Sequence, residues 1–64
     1  MTLLEELKQE IIRNEELLKI YREYIEGSFA AAFIDLDIRK AEEAIRTNNI
    51  VDIIQTYKKL KENE

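Results

Sequence analysis

The sequence contains no cysteine and no histidine, and these two absences exclude more function classes than any residue present suggests. Without cysteine there is no disulfide to staple a small fold, no thiolate nucleophile and no sulfur ligand for a structural zinc. Without histidine there is no side chain whose ordinary proton exchange falls near neutral pH. Ser28 and the threonines have no visible activating base, so the chain is expected not to be an enzyme. Asp35 with Asp37, and Glu42 with Glu43, lie one or two positions apart. Such neighbours on a helix point in different directions and no histidine joins them, so neither a metal nor any other cofactor is expected.

Proline is also missing, and glycine occurs once, at Gly27. Little therefore interrupts a helix apart from Gly27 and the polar trio Thr47-Asn48-Asn49. Long apolar runs are lacking too. The longest, Phe29 to Ile34, stops at Asp35, far short of the roughly 20 residues that span a bilayer. Basic residues are in the minority, ten against 14 acids for a net charge of −4. No excess positive potential attracts a phosphate backbone, and nucleic acid is not an expected partner. Membrane-surface helices usually carry a basic polar face, whereas acids are interspersed here, as in Glu5-Glu6 and Glu15-Glu16. The absence of cysteine suits a reducing compartment, and Met1 to Glu6 has acids where a signal peptide has a basic region. The expected location is cytoplasmic.

What is abundant is Leu, Ile, Ala, Glu and Lys, all compatible with helix. The fold class expected is all-α: a helical hairpin plus a third short helix in one domain, 1–64, with helices at about 3–26, 29–46 and 50–61. Thr2 and Glu5 form a capping box that starts the first helix. Gly27 is expected to close it in the left-handed conformation, with Ser28 as N-cap of the second. Asn48 is the candidate left-handed closing residue of the second helix, and Asn49 with Asp52 repeats the capping pattern for the third. Lys58, Lys59 and Lys61 complement that helix's dipole, and Glu62 to Glu64 are expected to fray.

On the first helix Leu4, Leu7, Ile11, Leu18, Tyr21 and Ile25 form a narrow seam broken at Asn14, and Leu17, Ile20 and Tyr24 add a second stripe. The second helix carries Ala30, Phe33, Ile34, Ala41, Ala44 and Ile45 on one side and Phe29, Ala32 and Leu36 on the other, so its first turns are apolar almost all round. The third shows Ile50, Ile53, Ile54, Tyr57 and Leu60 at helical spacing. A 64-residue chain buries only about 60% of its unfolded surface, and with disulfide and metal excluded, self-association is the remaining means of reinforcing it. The expected assembly is a homodimeric helical bundle, with an interface at Leu18, Tyr21, Tyr24, Ile25, Phe29, Ala32, Phe33 and Leu36. The alternative is an intramolecular core with incidental alanines.

Two polar residues interrupt these apolar stripes. Asp37 needs a partner for its carboxylate. That partner is either a basic group on another protein or, structurally, Arg22, Lys19 or a tyrosine hydroxyl of the first helix or of its symmetry mate. Asn14 either fixes register as a buried asparagine or marks a wet stretch of the seam.

The stretch Tyr24-Ile25-Glu26-Gly27-Ser28-Phe29-Ala30, then Asp37-Ile38 and Ala41-Glu42-Glu43-Ala44-Ile45, then Asn49-Ile50-Val51-Asp52-Ile53-Ile54, resembles short helical proteins of bacterial prophage regions that have no assigned activity. Those carry a Gly-Pro turn before the Phe/Ala-rich helix and a Gly-Asp turn before the last; this chain has Gly27-Ser28 and Asn48-Asn49. The resemblance spans most of the chain and rests on turn and core residues. It implies architecture and a phage or bacterial setting, and no functional residue can be carried over. The functional expectation is a non-catalytic, self-associating interaction module, a regulator or adaptor that also engages an unidentified protein partner. One alternative is a small-ligand-binding bundle with a pocket near Phe29, Phe33 and Tyr24 anchored by Asp37. A DNA-binding regulator ranks below both, since the most basic stretch, Lys58 to Lys61, is short and flanked by acids.

Overall fold

A computed structural model of the chain describes residues 2–24 and 27–64. They form three helices, α1 (Leu3–Arg22), α2 (Ser28–Thr47) and α3 (Ile50–Glu62). Each packs against the other two, in a body of 35 × 20 × 16 Å. None of them is long and apolar enough to cross a membrane.

The boundaries follow from local chemistry. Thr2 is extended and its hydroxyl accepts from the Glu5 N–H at 3.2 Å, which satisfies one of the orphan donors at the start of α1. At its other end α1 stops at Arg22, short of the expected limit near 26. The N–H groups of Glu23 and Tyr24 reach carbonyls only three residues back, at Ile20 and Tyr21, so the chain tightens and leaves the α-helical path. Residues 25 and 26, on which the expected helix end falls, lie outside the described residues.

Gly27 differs from its expected role. Its φ is −86°, an ordinary right-handed value; it is the N-cap of α2, and Ser28 is already the first helical residue. Glycine is needed here for closeness, because a Cβ at position 27 would run into the Tyr21 carbonyl oxygen. The second turn follows the expected chemistry. Asn48 is left-handed at φ 52°, ψ 40°, and the N–H groups of Asn49 and Asn48 donate to the carbonyls of Ala44 and Ile45, each at 3.1 Å. This is a Schellman closure. Asn49 then caps α3, its side-chain oxygen accepting from the Asp52 N–H at 3.2 Å.

The core lies between all three helices. α1 supplies Leu7, Ile11 and Leu18, α2 supplies Ala31, Ile34, Ile38, Ala41 and Ala44, and α3 supplies Ile53 and Leu60. The α1 seam is thus filled by the chain's own helices. Ala41 and Ala44, almost fully buried, remove side-chain bulk where the helices converge. Length then shapes the remainder. α1 and α2 have 20 residues each and α3 has 13, or about 30 Å against about 20 Å of helix. α3 starts at the Asn48 turn and runs out near the middle of the other two. The far half of the α1–α2 hairpin, with the start of α2, extends past it.

Candidate functional site

Where α3 ends, three polar side chains meet. The Asn14 amide nitrogen donates to the carbonyls of Glu10 at 2.8 Å and Leu60 at 3.1 Å. Since carbonyls only accept, this fixes the amide orientation and leaves Asn14 Oδ1 free to accept from Asn63 Nδ2 at 3.0 Å. The same Asn63 nitrogen donates to Asp37 Oδ2 at 3.2 Å, so both its hydrogens are used. Lys59 Nζ lies 3.7 Å from that carboxylate oxygen. Arg13 Nη2 adds a 2.7 Å bond to the Leu60 carbonyl, which belongs to the group of last-turn acceptors a helix cannot satisfy internally. Tyr21 donates its hydroxyl to the Glu64 carbonyl. Among the described residues no buried side-chain nitrogen or oxygen lacks a partner.

Asn14 and Asp37 are therefore buried, at 0% and 7% exposure, and joined through Asn63. Within one chain Asp37 is met by Asn63 and Lys59 rather than by Arg22, Lys19 or a tyrosine hydroxyl of the first helix. Geometry explains the correction: Asp37 sits at the level where α3 terminates and faces that helix. Asn63 was expected to fray with its neighbours; it is instead half-buried. No local signal marks it, because its partners lie 49 and 26 positions away. The network ties α1, α2 and the residue after α3 together. Asp37 also borders a groove between α2 and α3 with Lys40, Gln55, Thr56 and Lys59. Tyr24 borders a different depression with Ala31, Ala32 and Asp35, and Phe33 a third, so these depressions do not bring Phe29, Phe33 and Tyr24 together with Asp37 as the expected ligand pocket requires.

The surface is less complete than the interior. Phe29 is 80% exposed and Phe33 66%, and Tyr24, Ala32 and Leu36 are exposed with them. Phe29, Ala32, Phe33 and Leu36 follow i, i+3, i+4, i+7 spacing, a continuous outward stripe on the first two turns of α2. Phe33 was grouped by spacing with the core residues Ile34 and Ala41, yet it points out. The end of α3 borders it, with Asn63, Glu64 and Tyr21 lining the same depression, but stops before covering it.

Of the expected interface residues, Leu18, 7% exposed, is taken into the chain's own core, while Tyr21 stays half-buried beside Phe33, packed against that core with its hydroxyl engaged by Glu64. Leu18 lies on the part of the α1 seam that the chain's own core already fills. Ile25 lies outside the described residues. A second apolar area sits at the opposite end of the bundle, where Leu4, Ile50, Val51 and Ile54 are exposed. Sequence periodicity placed Ile50 and Ile54 in the covering stripe of the third helix, but α3 turns Ile53 and Leu60 inward and leaves these two at its outer edge.

Charged side chains elsewhere pair locally along the helices, Arg39 with Asp35 at 3.3 Å and Arg46 with Glu43. The Arg46 hydrogen bond lowers the Glu43 carboxyl below its ordinary value and raises the guanidinium in turn. Among the described residues no group of three or more acidic side chains is gathered where a metal ion could be held. No protein-family model, curated protein or solved structure matches this chain.

Proposed function

We propose that this chain is a non-catalytic helical interaction module that associates with itself through the outer face of α2, and that it serves as a cytoplasmic regulator or adaptor in a bacterial or phage setting. The observation that carries the reading is the outward stripe of Phe29, Ala32, Phe33 and Leu36. Burying a phenylalanine contributes about 1.5–3 kcal/mol relative to leaving it in water, and here both phenylalanines of the sequence are left in water by the isolated chain. The chain's total accessible surface is 4774 Å², whereas a folded monomer of 7.6 kDa has about 4300 Å². The excess is comparable to the uncovered stripe.

A protein surface suits this face better than a small molecule does. Ligand sites are concave and enclose most of the ligand, while Phe29, at 80% exposure, projects outward. The phage or bacterial setting is supported by the resemblance of the turn and core residues to prophage-encoded helical proteins.

The test is light scattering on the wild type and on Phe33→Asp. The wild type is expected to gain mass with concentration and the variant to stay at the mass of one chain. Equal self-association of the two would contradict the assignment of this face.

A further inference from the structure

We infer that the occupant of the α2 stripe is a second copy of the chain, docked with its α2 antiparallel to the first, about a two-fold axis that passes between Ala32 and Phe33. The inference rests on the self-association proposed above and adds the identity of the contacting elements, their direction and their register.

A two-fold contact requires a face that can meet itself. The net charge of −4 per chain sets two copies against each other at long range, so a self-contact must be sought where that charge is absent. The stripe is such a place: over two turns it contains only Phe29, Ala32, Phe33 and Leu36, and the nearest flanking charges have both signs, with Asp35 already paired to Arg39.

The area is of the right order. Phenylalanine and tyrosine each present about 150–250 Å², and at 80%, 66% and 59% exposure Phe29, Phe33 and Tyr24 leave about 300–500 Å² open between them. Leu36 and Ala32 enlarge this toward the roughly 800 Å² that each partner contributes to a standard stable interface. Ala32 at the centre allows the helix axes to approach closely.

Direction follows from what lies further along α2. The next positions on the same line are Lys40 and Glu43. Parallel, in-register pairing would continue the contact into them and set Lys40 against the partner's Lys40 and Glu43 against the partner's Glu43, like charge on like. Antiparallel pairing centred on the stripe confines the overlap to residues 28–37, because the partner's α2 begins at Ser28. Phe29 then meets the partner's Leu36, the charged half of each α2 stays in water, and the helix dipoles oppose. The two α1–α2 hairpins together make a four-helix arrangement, with each α3 on the outside.

The absence of natural cysteine makes the test clean. Single cysteines are introduced at Ala32, Phe29, Leu36 and Ile54, all exposed positions, so folding is not at stake. Each reduced variant is first checked for dimer by sedimentation and then oxidised. Ala32→Cys is expected to cross-link to itself at least about tenfold faster than Ile54→Cys, since a disulfide needs Cα atoms within about 7 Å. Phe29→Cys alone is expected to cross-link poorly, its copies being about 10 Å apart along the helix axis, whereas a mixture of Phe29→Cys and Leu36→Cys is expected to cross-link efficiently. A dimer in which Phe29→Cys joins itself faster than it joins Leu36→Cys would overturn the antiparallel register while leaving self-association intact. A dimer that cross-links only through Ile54→Cys would move the contact to the other end of the bundle. Variants and wild type that sediment as single chains would overturn both this geometry and the self-association on which it rests.

Discussion

Asn63 donates its side-chain amide to Asn14 Oδ1 at 3.0 Å, tying the residue just past α3 to the middle of α1. The same amide reaches Asp37 on α2 at 3.2 Å, so one side chain at the end of the chain joins all three helices. Replacing it with alanine removes two hydrogen bonds and leaves the buried Asn14 oxygen and the Asp37 carboxylate short of a partner. An unsatisfied buried polar group costs about 1–3 kcal/mol. Asn63→Ala is expected to destabilise by that amount in denaturant unfolding, and Asn14→Ala similarly. The double variant should lose clearly less than the sum, because the two share a bond; strict additivity would show that the bond contributes nothing.

At Gly27 two effects oppose each other. Its φ of −86° is open to any residue, so alanine there would ordinarily stabilise by about 0.4–1 kcal/mol through the unfolded chain. The new Cβ, however, meets the Tyr21 carbonyl oxygen, and relieving such an overlap costs about 1–3 kcal/mol. The clash is the larger effect. Gly27→Ala should lower the melting temperature, and a raised one would mean that the hairpin turn can open to admit a Cβ beside the Tyr21 carbonyl.

Asn48 makes the opposite demand. It holds φ 52°, where an ordinary L-residue carries a penalty of about 1–2 kcal/mol. Asn48→Ala should therefore destabilise by about 1 kcal/mol, while Asn48→Gly should be neutral or slightly stabilising, because glycine adopts that conformation freely. Thermal melts of the pair separate a backbone requirement from a side-chain one: if glycine were as costly as alanine, the asparagine side chain rather than its φ would be what matters.

These three sites show where sequence reading succeeds and where it stops. Thr2, Asn48 and Asn49 act through partners three to five positions away, so their roles can be read from spacing. The apolar encirclement of the first turns of α2 was legible for the same reason, since periodicity reports which residues share a side. What periodicity leaves open is which side another helix covers, and that depended on the 13-residue length of α3. For this reason Leu18 passed from the expected interface to the core, whereas Phe33, expected both on the core-facing side and in the interface, lies outside. Asn63 was the least legible of all. Its partners are set by where α3 happens to end against α1 and α2, a tertiary fact with no trace in its neighbours. Gly27 lies between these cases: its presence announced the turn, but the reason for glycine is a contact with a carbonyl six residues earlier rather than a left-handed φ.

Phe33→Asp tests the energetic side of the α2 stripe. Phe33 is 66% exposed, so the charge need not disturb the chain's own core. If the stripe is covered by a partner, the melting temperature of the wild type should rise with protein concentration, as association stabilises the folded form by mass action, and that of the variant should not. Parallel concentration dependence in both would place the contact elsewhere.

The most direct measurement is sedimentation equilibrium of the unmodified chain, from concentrations of about 1 μM to about 100 μM, a range that brackets the dissociation constants of modest interfaces. If the α2 stripe is covered by a second copy, the mass climbs from one chain of 7.6 kDa toward two. A folded species that remains one chain throughout would contradict that contact.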